Sequence, residues 1–179
     1  MLNFLKKNIL FFIPLTIVIL DQVTKLWVKA ALEYGQQIPV IKHYLMITYV
    51  ENPGIAFGVS VGSFKVLLSI FTIIISIYLA YYIYNHKDAS IKETIPLSLI
   101  LGGALGNMID RVFYGVIFGY DGLFKGKVID FIMVDIPDIT LFGRYYDYFP
   151  IFNIADSAVT VGVILLLIIS FIPTQKEVN

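Results

Sequence analysis

Four long apolar runs, separated by more polar stretches, dominate the pattern of the chain. They cover about residues 9–32, 63–84, 95–118 and 150–172. Each run is long enough to cross the hydrocarbon core of a bilayer, which takes about 20 residues in a helix. The pattern therefore predicts four transmembrane helices. The first run contains Pro14, which a membrane helix tolerates.

The longer polar stretches predict strands. Alternating β-branched and aromatic residues between Gln36 and Ser60 favour two short strands, with a turn at Pro53-Gly54. A further strand is predicted at Val128 to Ile136. At the end of this strand, Asp135-Ile-Pro-Asp138 is expected to form a turn or to begin a helix. The predicted fold class is an α-helical integral membrane protein with a small β-sheet outside the bilayer.

Composition supports a membrane protein and narrows its chemistry. Apolar residues make up 58% of the chain and charged residues 15%, against about 45–50% and about 25% in soluble domains. The mean hydropathy is +0.83. The net charge is zero, which gives no reason to expect a nucleic-acid partner. The absence of cysteine excludes disulfides, thiolate metal sites and a cysteine nucleophile.

The distribution of basic residues predicts the orientation in the membrane. Cytoplasmic segments carry an excess of lysine and arginine. One side of the predicted membrane holds Lys6, Lys7, Lys87, Lys92 and Lys176. Both termini are therefore expected in the cytoplasm. We expect residues 1–179 to form one membrane domain, with a β-rich loop at about 33–62 and a second loop at about 119–149 on the outer side.

Two aspartates are the strongest candidates for chemistry. Asp156 lies with Asn153 at the start of the fourth apolar run, where an ionisable side chain is costly and indicates a functional site. Asp130 lies in an apolar strand, where a carboxylate is expensive unless used or paired. Two adjacent carboxyl groups share a proton, so one can activate water while the other polarises a carbonyl. The pair therefore predicts a metal-free aspartic protease, although Asp156 could instead cap a helix or pair with a cation.

Other polar residues fall near the same outer ends of the predicted helices. Asp21 and Lys25 are spaced i, i+4 and can pair, as structural supports. Asp110 and Arg111 either form structural ion pairs, or Arg111 orients a substrate backbone through its guanidinium group. Further candidates are the amides of Asn52 and Asn107, which either bind substrate or cap turns, and the glycines Gly102, Gly103 and Gly106, which permit close helix packing.

Two other classes of protein remain as alternatives. A small proton-relay transporter could use Asp21, Asp110 and Asp156, but it would need polar residues through the whole membrane depth, and here they stop at mid-depth. A membrane assembly subunit could use the same charges to pair helices. In such a subunit, asparagine at positions 130 and 156 would alter folding more than turnover.

Five short motifs, in order along nearly the whole chain, resemble those of the lipoprotein signal peptidases (signal peptidase II). They are Asp21-Gln-Val-Thr-Lys25, Asn52-Pro-Gly-Ile-Ala-Phe57, Gly102-Gly-Ala-Leu-Gly-Asn-Met-Ile-Asp-Arg111, Val128-Ile-Asp-Phe131 and Phe152-Asn-Ile-Ala-Asp-Ser157. The resemblance implies that Asp130 and Asp156 are the catalytic pair. It places Asn52, Gly54, Asn107, Asp110, Arg111 and Asn153 at the substrate or pocket, and Asp21, Lys25, Gly103 and Gly106 in structural support.

The resemblance also implies the reaction and its surroundings. The family consists of bacterial inner-membrane aspartic endopeptidases that cut prolipoproteins immediately before a diacylglyceryl-modified cysteine, with no cofactor or metal. The implied partners are these substrates and membrane lipids, with no nucleic acid, and the protein is expected to be a monomer. A small outer β-cradle corresponds to Gln36 to Ser60. A short outer helix that gates the site is expected within Ile139 to Tyr148, in a third loop that is longer than the family's.

Overall fold

The computed structural model describes residues 2–54, 62–85, 90–141 and 144–171, and within them four helices and four strands. The helices are α1 (Leu2–Ala31), α2 (Gly62–Asn85), α3 (Ile91–Ile117) and α4 (Ile154–Phe171). The strands are β1 (Gln37–Ile41), β2 (Leu45–Asn52), β3 (Val128–Leu141) and β4 (Arg144–Tyr148). Parts of the predictions, namely residues 55–61 of the outer loop with Lys87 and Lys176, lie outside the described residues.

All four helices are long and apolar enough to cross a membrane, as the four apolar runs predicted. Helix α3 packs against each of the other three, whereas α2 packs mainly against α3. The start of α3 is fixed by a capping box, in which the Ser90 hydroxyl accepts from the Glu93 amide and the Glu93 carboxylate accepts from the Ser90 amide. Four helices arranged around α3 therefore form the membrane part of the protein.

Glycines on α3 allow the close approach of two different helices. A Cβ atom at Gly102 would lie 2.9 Å from the Pro14 Cα on α1. At Gly103 a Cβ would overlap the Ala155 carbonyl oxygen on α4. Because successive residues of a helix point to different sides, adjacent glycines serve different neighbours. The glycine-rich segment therefore packs α1 and α4 on two faces of α3.

The four strands form one antiparallel sheet in the order β1-β2-β3-β4. Strand β2 pairs with β3 so that Val50 is opposite Asp130 and Asn52 is opposite Val128. The β2–β3 register shifts between Ile47 and Val50. Beyond β4, the chain returns to β3, where Phe152 forms an isolated bridge with Ile132. This pairing brings the start of α4 beside β3.

The short outer helix predicted within Ile139 to Tyr148 is wrong for the residues that the structure describes. Residues 139–141 belong to β3 and residues 144–148 to β4, with Ile139 opposite Tyr146. Alternating β-branched and aromatic side chains favour this pairing over a helix. The turn or helix start predicted at Asp135 to Asp138 is also wrong, because β3 continues through it. A register shift between Asp135 and Ile139 accommodates Pro137 there.

A buried apolar cluster joins the sheet to the helices at one end of the bundle. Its members are Val28 and Leu32 near the end of α1, Tyr49 on β2, Tyr114 on α3, and Ile129 and Phe131 on β3. Ile129 and Phe131 flank Asp130, and they are 1% and 4% exposed. Because these two side chains are held in the core, the backbone around Asp130 is fixed against the ends of α1 and α3.

Candidate active site

Asp130 and Asp156 are held together by one residue, Asn153. The Asn153 side-chain amide nitrogen donates to Asp130 Oδ1 over 2.7 Å. The Asn153 main-chain N–H donates to Asp156 Oδ2 over 3.2 Å. Main-chain bonds between β3 and the preceding residue, Phe152, set this position, with Ile132 N donating to Phe152 O over 2.8 Å. The structure therefore brings together the two carboxylates that the sequence singled out.

Asn153 and Asp156 also form the cap of α4. The Asn153 side-chain oxygen accepts from the Asp156 amide over 2.9 Å, and the Asp156 carboxylate accepts from the Asn153 amide. This reciprocal arrangement is a capping box with asparagine as the N-cap. Asp156 is thus in the first turn of α4, where the helix dipole favours a negative charge. The alternative that Asp156 itself is the N-cap is wrong, because Asn153 holds that position.

Asp130 is almost completely buried, at 2% exposure. Burial, and secondarily the neighbouring Asp156 carboxylate, raise the pKa of Asp130 to about 7, against opposing hydrogen bonds from Asn52 and Asn153. A carboxyl group with this pKa carries a proton at neutral pH far more often than an ordinary aspartate. The site can therefore hold one protonated and one ionised carboxyl group together.

Asn52 supplies the second amide to Asp130. Its side-chain nitrogen donates to Asp130 Oδ2 over 3.0 Å. Its side-chain oxygen accepts from the Gly54 main-chain N–H over 2.8 Å, which closes a tight turn after β2. Gly54 has φ +81°, and a Cβ atom there would lie 2.5 Å from the Leu68 side chain. Only glycine suits this turn, which explains its place in the motif.

Asn107 on α3 plays the corresponding part for Asp156. Its side-chain nitrogen donates to Asp156 Oδ1 over 2.8 Å. Its side-chain oxygen accepts from Lys25 Nζ over 3.0 Å. Both carboxylates are therefore met by amide donors: Asp130 by two side chains, Asp156 by a side chain and a main-chain N–H. The possibility that Asn52 and Asn107 serve only as caps is not favoured by these contacts.

A buried charged group lies behind Asn107. Lys25 Nζ is 2.7 Å from Asp21 Oδ2 and 2.8 Å from Asp110 Oδ2, and all three side chains are 0% exposed. The pairing expected between Asp21 and Lys25 is present. Asp110 also pairs with Lys25, so of the two alternatives given for Asp110 and Arg111, Asp110 follows the structural ion pair. Asp21 Oδ1 also accepts from the Ala155 amide over 2.9 Å. The charged group thus connects α1 and α3 to the first turn of α4.

The sequence did not single out Gln22 or Tyr114, which complete this buried group. Gln22 Nε2 donates to Asp110 Oδ1 over 2.8 Å, and Tyr114 OH donates to Gln22 Oε1 over 3.0 Å. Gln22 is a polar residue within the first apolar run, and Tyr114 follows Asp110 by one helical turn. A polar side chain in an apolar run needs a hydrogen-bond partner. The positions of Gln22 and Tyr114 in the sequence could therefore have indicated that they belong to this group.

Arg111 is placed differently from its neighbour Asp110. Within the described residues, its guanidinium group makes no hydrogen bond and has no carboxylate within 4.0 Å. The side chain is half-buried, and the charges of Asp156, Asp110 and Asp130 act on it. A guanidinium group offers five donors in a fixed plane. The arrangement leaves this donor set available beside the aspartate pair.

Gly103 and Gly106 let α4 and the buried charges approach α3. A Cβ atom at Gly106 would lie 2.7 Å from Asp21 Oδ2 and 3.2 Å from the Ala155 Cβ. The Gly103 position meets the Ala155 carbonyl oxygen directly. Larger side chains at either position would displace the first turn of α4, which carries Asp156. The glycines therefore support the geometry of the site from behind.

A second polar cluster anchors the strand that carries Asn52. Glu51 Oε1 lies 2.9 Å from Lys29 Nζ on α1, and Glu51 Oε2 lies 2.8 Å from Lys127 Nζ at the start of β3. Tyr49 OH also donates to Glu51 over 2.6 Å. Despite partial burial, these donors lower the pKa of Glu51 to about 2. The sequence did not single out this cluster, whose charges come from three separate segments.

Comparisons with known proteins agree on one family. The lipoprotein signal peptidase of Pelodictyon phaeoclathratiforme is 41% identical over 162 residues, covering 90% of this chain and 89% of the relative. The lipoprotein signal peptidase of Syntrophus aciditrophicus is 37% identical and covers 96% of this chain and 98% of the relative. That of Staphylococcus aureus is 42% identical, covering 87% and 83%.

A solved structure described as a bacterial membrane enzyme resembles most of the chain. The TM-score is 0.72 and the sequence identity 39%, with 92% of this chain and 94% of the other covered. The model of the family described as signal peptidase (SPase) II matches residues 13–172. This range contains both aspartates, the three asparagines that donate to them and the buried charged group. The chain belongs to the signal peptidase (SPase) II family.

Proposed function

We propose that this protein is a membrane aspartic endopeptidase that removes signal peptides from prolipoproteins, with Asp130 and Asp156 as its catalytic pair. The relatives named above are lipoprotein signal peptidases. The observation that carries the assignment of the pair is the double contact of Asn153, which hydrogen-bonds both carboxylates. The four spanning helices and the family make the chain an inner-membrane protein.

The surroundings of the two carboxyl groups support different roles for them. Asp130 is buried, with a pKa raised to about 7 by that burial and by Asp156, and it acts as the proton donor to the scissile carbonyl. Asp156 lies in the first turn of α4, where a negative charge is favoured, and it acts as the general base. These are the two protonation states that acid–base catalysis requires at one site.

The reaction then proceeds without a covalent intermediate. Asp156 takes a proton from water, and the water oxygen attacks the carbonyl carbon while Asp130 gives its proton to the carbonyl oxygen. The tetrahedral intermediate collapses by breaking the C–N bond. The proton held by Asp156 passes to the leaving nitrogen, and Asp130 recovers its proton from the re-forming carbonyl. Both carboxyl groups return to their starting states.

Arg111 and the neighbouring amides are assigned the role of binding the main chain of the substrate peptide. Since no described residue hydrogen-bonds its guanidinium group, Arg111 is free to donate to a peptide carbonyl next to the scissile bond. Asn52 is exposed as well as bonded to Asp130, so substrate can reach it. An unpaired fork of donors beside a polar pair is suited to holding an extended peptide.

The substrate class follows from the family resemblance and the position of the site. The family cuts immediately before a diacylglyceryl-modified cysteine, whose acyl chains lie in the bilayer while its peptide lies near the headgroups. Here Asp130 is on a strand outside the spanning segments, and Asp156 is in the first turn of α4. The proposal also places both termini on the cytoplasmic side and the site at the outer face of the membrane. It takes the enzyme to be a monomer.

The decisive experiment is cleavage of a diacylglyceryl-modified prolipoprotein by the purified full-length protein. We expect cleavage before the modified cysteine, none of the unlipidated form, and none by Asp130→Asn or Asp156→Asn. An aspartate acting as general acid or base contributes about 10²- to 10⁴-fold. Asp147→Asn is the matched control, because Asp147 is exposed on β4. A folded wild type that cleaves nothing, or an active Asp156→Asn variant, would contradict the proposal.

A further inference from the structure

Lys25 has its three ammonium hydrogens directed at three acceptors. Two acceptors are the carboxylates of Asp21 and Asp110, at 2.7 and 2.8 Å. The third is the side-chain oxygen of Asn107, at 3.0 Å. An ammonium group has three donors and no acceptor. Since Lys25 is 0% exposed, it has no contact with solvent; its charge acts on Asp130, and its hydrogen-bonded connection to the aspartate pair runs through Asn107.

Two donors decide which way the Asn107 amide points: Lys25 Nζ, 3.0 Å from its side-chain oxygen, and the Asn153 side-chain nitrogen, 3.2 Å from the same oxygen. An ammonium group can only donate, so the Asn107 atom that faces it is the oxygen. The amide nitrogen then faces the opposite way, 2.8 Å from Asp156 Oδ1. In the reversed orientation the amide N–H groups would meet the ammonium group, and the amide oxygen would meet the Asp156 carboxylate. Both contacts of that reversed orientation are repulsive.

The other two asparagines at the site are oriented in the same way by main-chain groups. The Asn52 oxygen accepts from the Gly54 amide, and the Asn153 oxygen accepts from the Asp156 amide. Both residues lie at the ends of elements, where main-chain N–H groups are free. Asn107 is in the interior of α3, where the nearby N–H groups are engaged in the helix. Side-chain donors, Lys25 at 3.0 Å and Asn153 at 3.2 Å, therefore take their place.

Resting on the proposed function, we infer that Lys25 is a positioning residue, whose ammonium group locks the Asn107 amide with its nitrogen toward Asp156. Without this donor, only the longer contact from the Asn153 side-chain nitrogen holds the Asn107 oxygen, so the amide turns its oxygen to Asp156 more often and the anion loses a hydrogen bond. A hydrogen bond to a charged group contributes about 1.5–3 kcal/mol, which corresponds to a fall in kcat of roughly 10- to 100-fold. KM should change little, because buried Lys25 does not reach the substrate.

The test is a double-mutant cycle on kcat between Lys25 and Asn107. Lys25→Met/Asp110→Asn removes the ammonium group and one carboxylate together, so the buried group keeps its net charge of −1. We expect kcat to fall roughly 10- to 100-fold in the presence of Asn107, and not to fall further when Asn107→Ala is already present. Equal falls in both backgrounds would show that Lys25 acts by another route and would overturn the inference.

Two further variants separate orientation from stability. Lys25→Gln/Asp110→Asn differs from the methionine variant by an amide donor, and we expect it to recover most of kcat. Ile83→Ala removes buried packing on α2, which carries none of the site residues, so it should lower Tm and leave kcat unchanged in both backgrounds. A glutamine variant no better than methionine, at matched Tm, would count against the inference.

A variant that retains Lys25 covers the case in which its replacement prevents folding. Asn107→Asp keeps an acceptor for Lys25 and presents an oxygen to Asp156, like the reversed amide. We expect kcat below that of Asn107→Ala, and wild-type activity would overturn the inference. Wild-type cleavage of the lipidated substrate is measured in the same series. If it is absent, the proposed function fails and the inference with it; if it is present with an additive cycle, the inference alone fails.

Discussion

At the scale of single residues, three asparagines determine the surroundings of the aspartate pair. Each has its side-chain oxygen occupied by a donor, which leaves its nitrogen for a carboxylate. Asn153 combines this with capping α4. Aspartate reactivity here is therefore set by neutral amides at close range, with the buried ion pairs acting one residue further away.

The raised pKa of Asp130 predicts the pH dependence of the reaction. Because Asp130 must be protonated in its proposed role, kcat/KM should fall as pH rises through about 7, by roughly tenfold per unit well above it. The hydrogen bond from Asn52 lowers this pKa, so Asn52→Ala should move the fall to higher pH. The measurement is kcat/KM with lipidated substrate between about pH 5.5 and 9. A descending limb that stays in place in Asn52→Ala would assign it to another group.

Replacing Asn153 by serine separates capping from the contact with Asp130. Serine caps a helix about as well as asparagine, but it lacks the amide that donates to Asp130 Oδ1 over 2.7 Å. We expect Asn153→Ser to keep a near wild-type Tm and to lose activity. Asn153→Ala should lose activity and also about 1 kcal/mol of stability with the cap. Thermal unfolding in detergent and cleavage rate are measured for both; equal Tm values for the two variants would argue against the capping role.

Much of this site could be predicted from the sequence, because charged and amide side chains in apolar runs are costly and therefore conspicuous. Asp21, Lys25, Asn107 and Asp156 were found that way. Glu51 was not, since a glutamate in a polar loop costs nothing until its partners are known. Which asparagine serves which carboxylate also depends on contacts between residues far apart in the chain, such as Asn52 and Asp130.

At the scale of the elements, the glycines of α3 set how near α4 can come. Gly103 faces the Ala155 carbonyl, while Gly106 faces both Asp21 and Ala155. The first turn of α4 is thus pressed against α3 and against the buried charges. The distance between these helices is a condition for the hydrogen bond from Asn107 to Asp156.

Gly106→Ala should weaken both stability and activity. The new Cβ would lie 2.7 Å from Asp21 Oδ2, a carboxylate held by Lys25 and by the Ala155 amide. Overpacking of this kind costs about 1–3 kcal/mol, seen as a lower Tm in detergent. Gly122→Ala is the control, since a Cβ there meets nothing within 4 Å. Equal Tm values for the two alanine variants would show that the close packing of α3 and α4 at Gly106 is not needed for stability.

The element that sequence reasoning missed is the β3–β4 hairpin. A proline between two aspartates at 135–138 is a strong turn signal when considered locally. In the structure, the register shift between Asp135 and Ile139 absorbs that proline, and the partner strand supplies Tyr145 and Tyr146 opposite Thr140 and Ile139. Pairing with a strand further along the chain decides the conformation. Local propensity carries no information about that partner strand. The four helices, in contrast, could be predicted from their own apolar runs, without knowledge of what they pack against.

At the scale of the whole molecule, the polar groups gather at one end of an apolar bundle. The sheet, the aspartate pair and the buried ion pairs share that end, with the C-terminal ends of α1 and α3 and the start of α4. The proposed orientation places this end on the outer side of the membrane. The start of α3, with Lys92 in its first turn, then lies in the cytoplasm.

Labelling with a membrane-impermeant maleimide tests this orientation. The chain has no cysteine, so single replacements report one position each. Leu123→Cys, at an exposed position in the loop before β3, should be labelled in intact spheroplasts. Lys92→Cys, exposed in the first turn of α3, should be labelled only after lysis. The reverse pattern would place the site on the cytoplasmic side and would exclude the proposed approach of the substrate.

The bond from the Ala155 amide to Asp21, between residues 134 positions apart, ties the last helix to the first. A ribosome delivers the first three helices to the membrane before the fourth has been made. During that interval the nascent chain already holds Asp21, Lys25, Asn107 and Asp130, but it has no α4 to contribute Asp156. With Asp156 in its proposed catalytic role, the protease becomes competent only once α4 has been made, and a chain that stalls before α4 is inert toward the precursors around it.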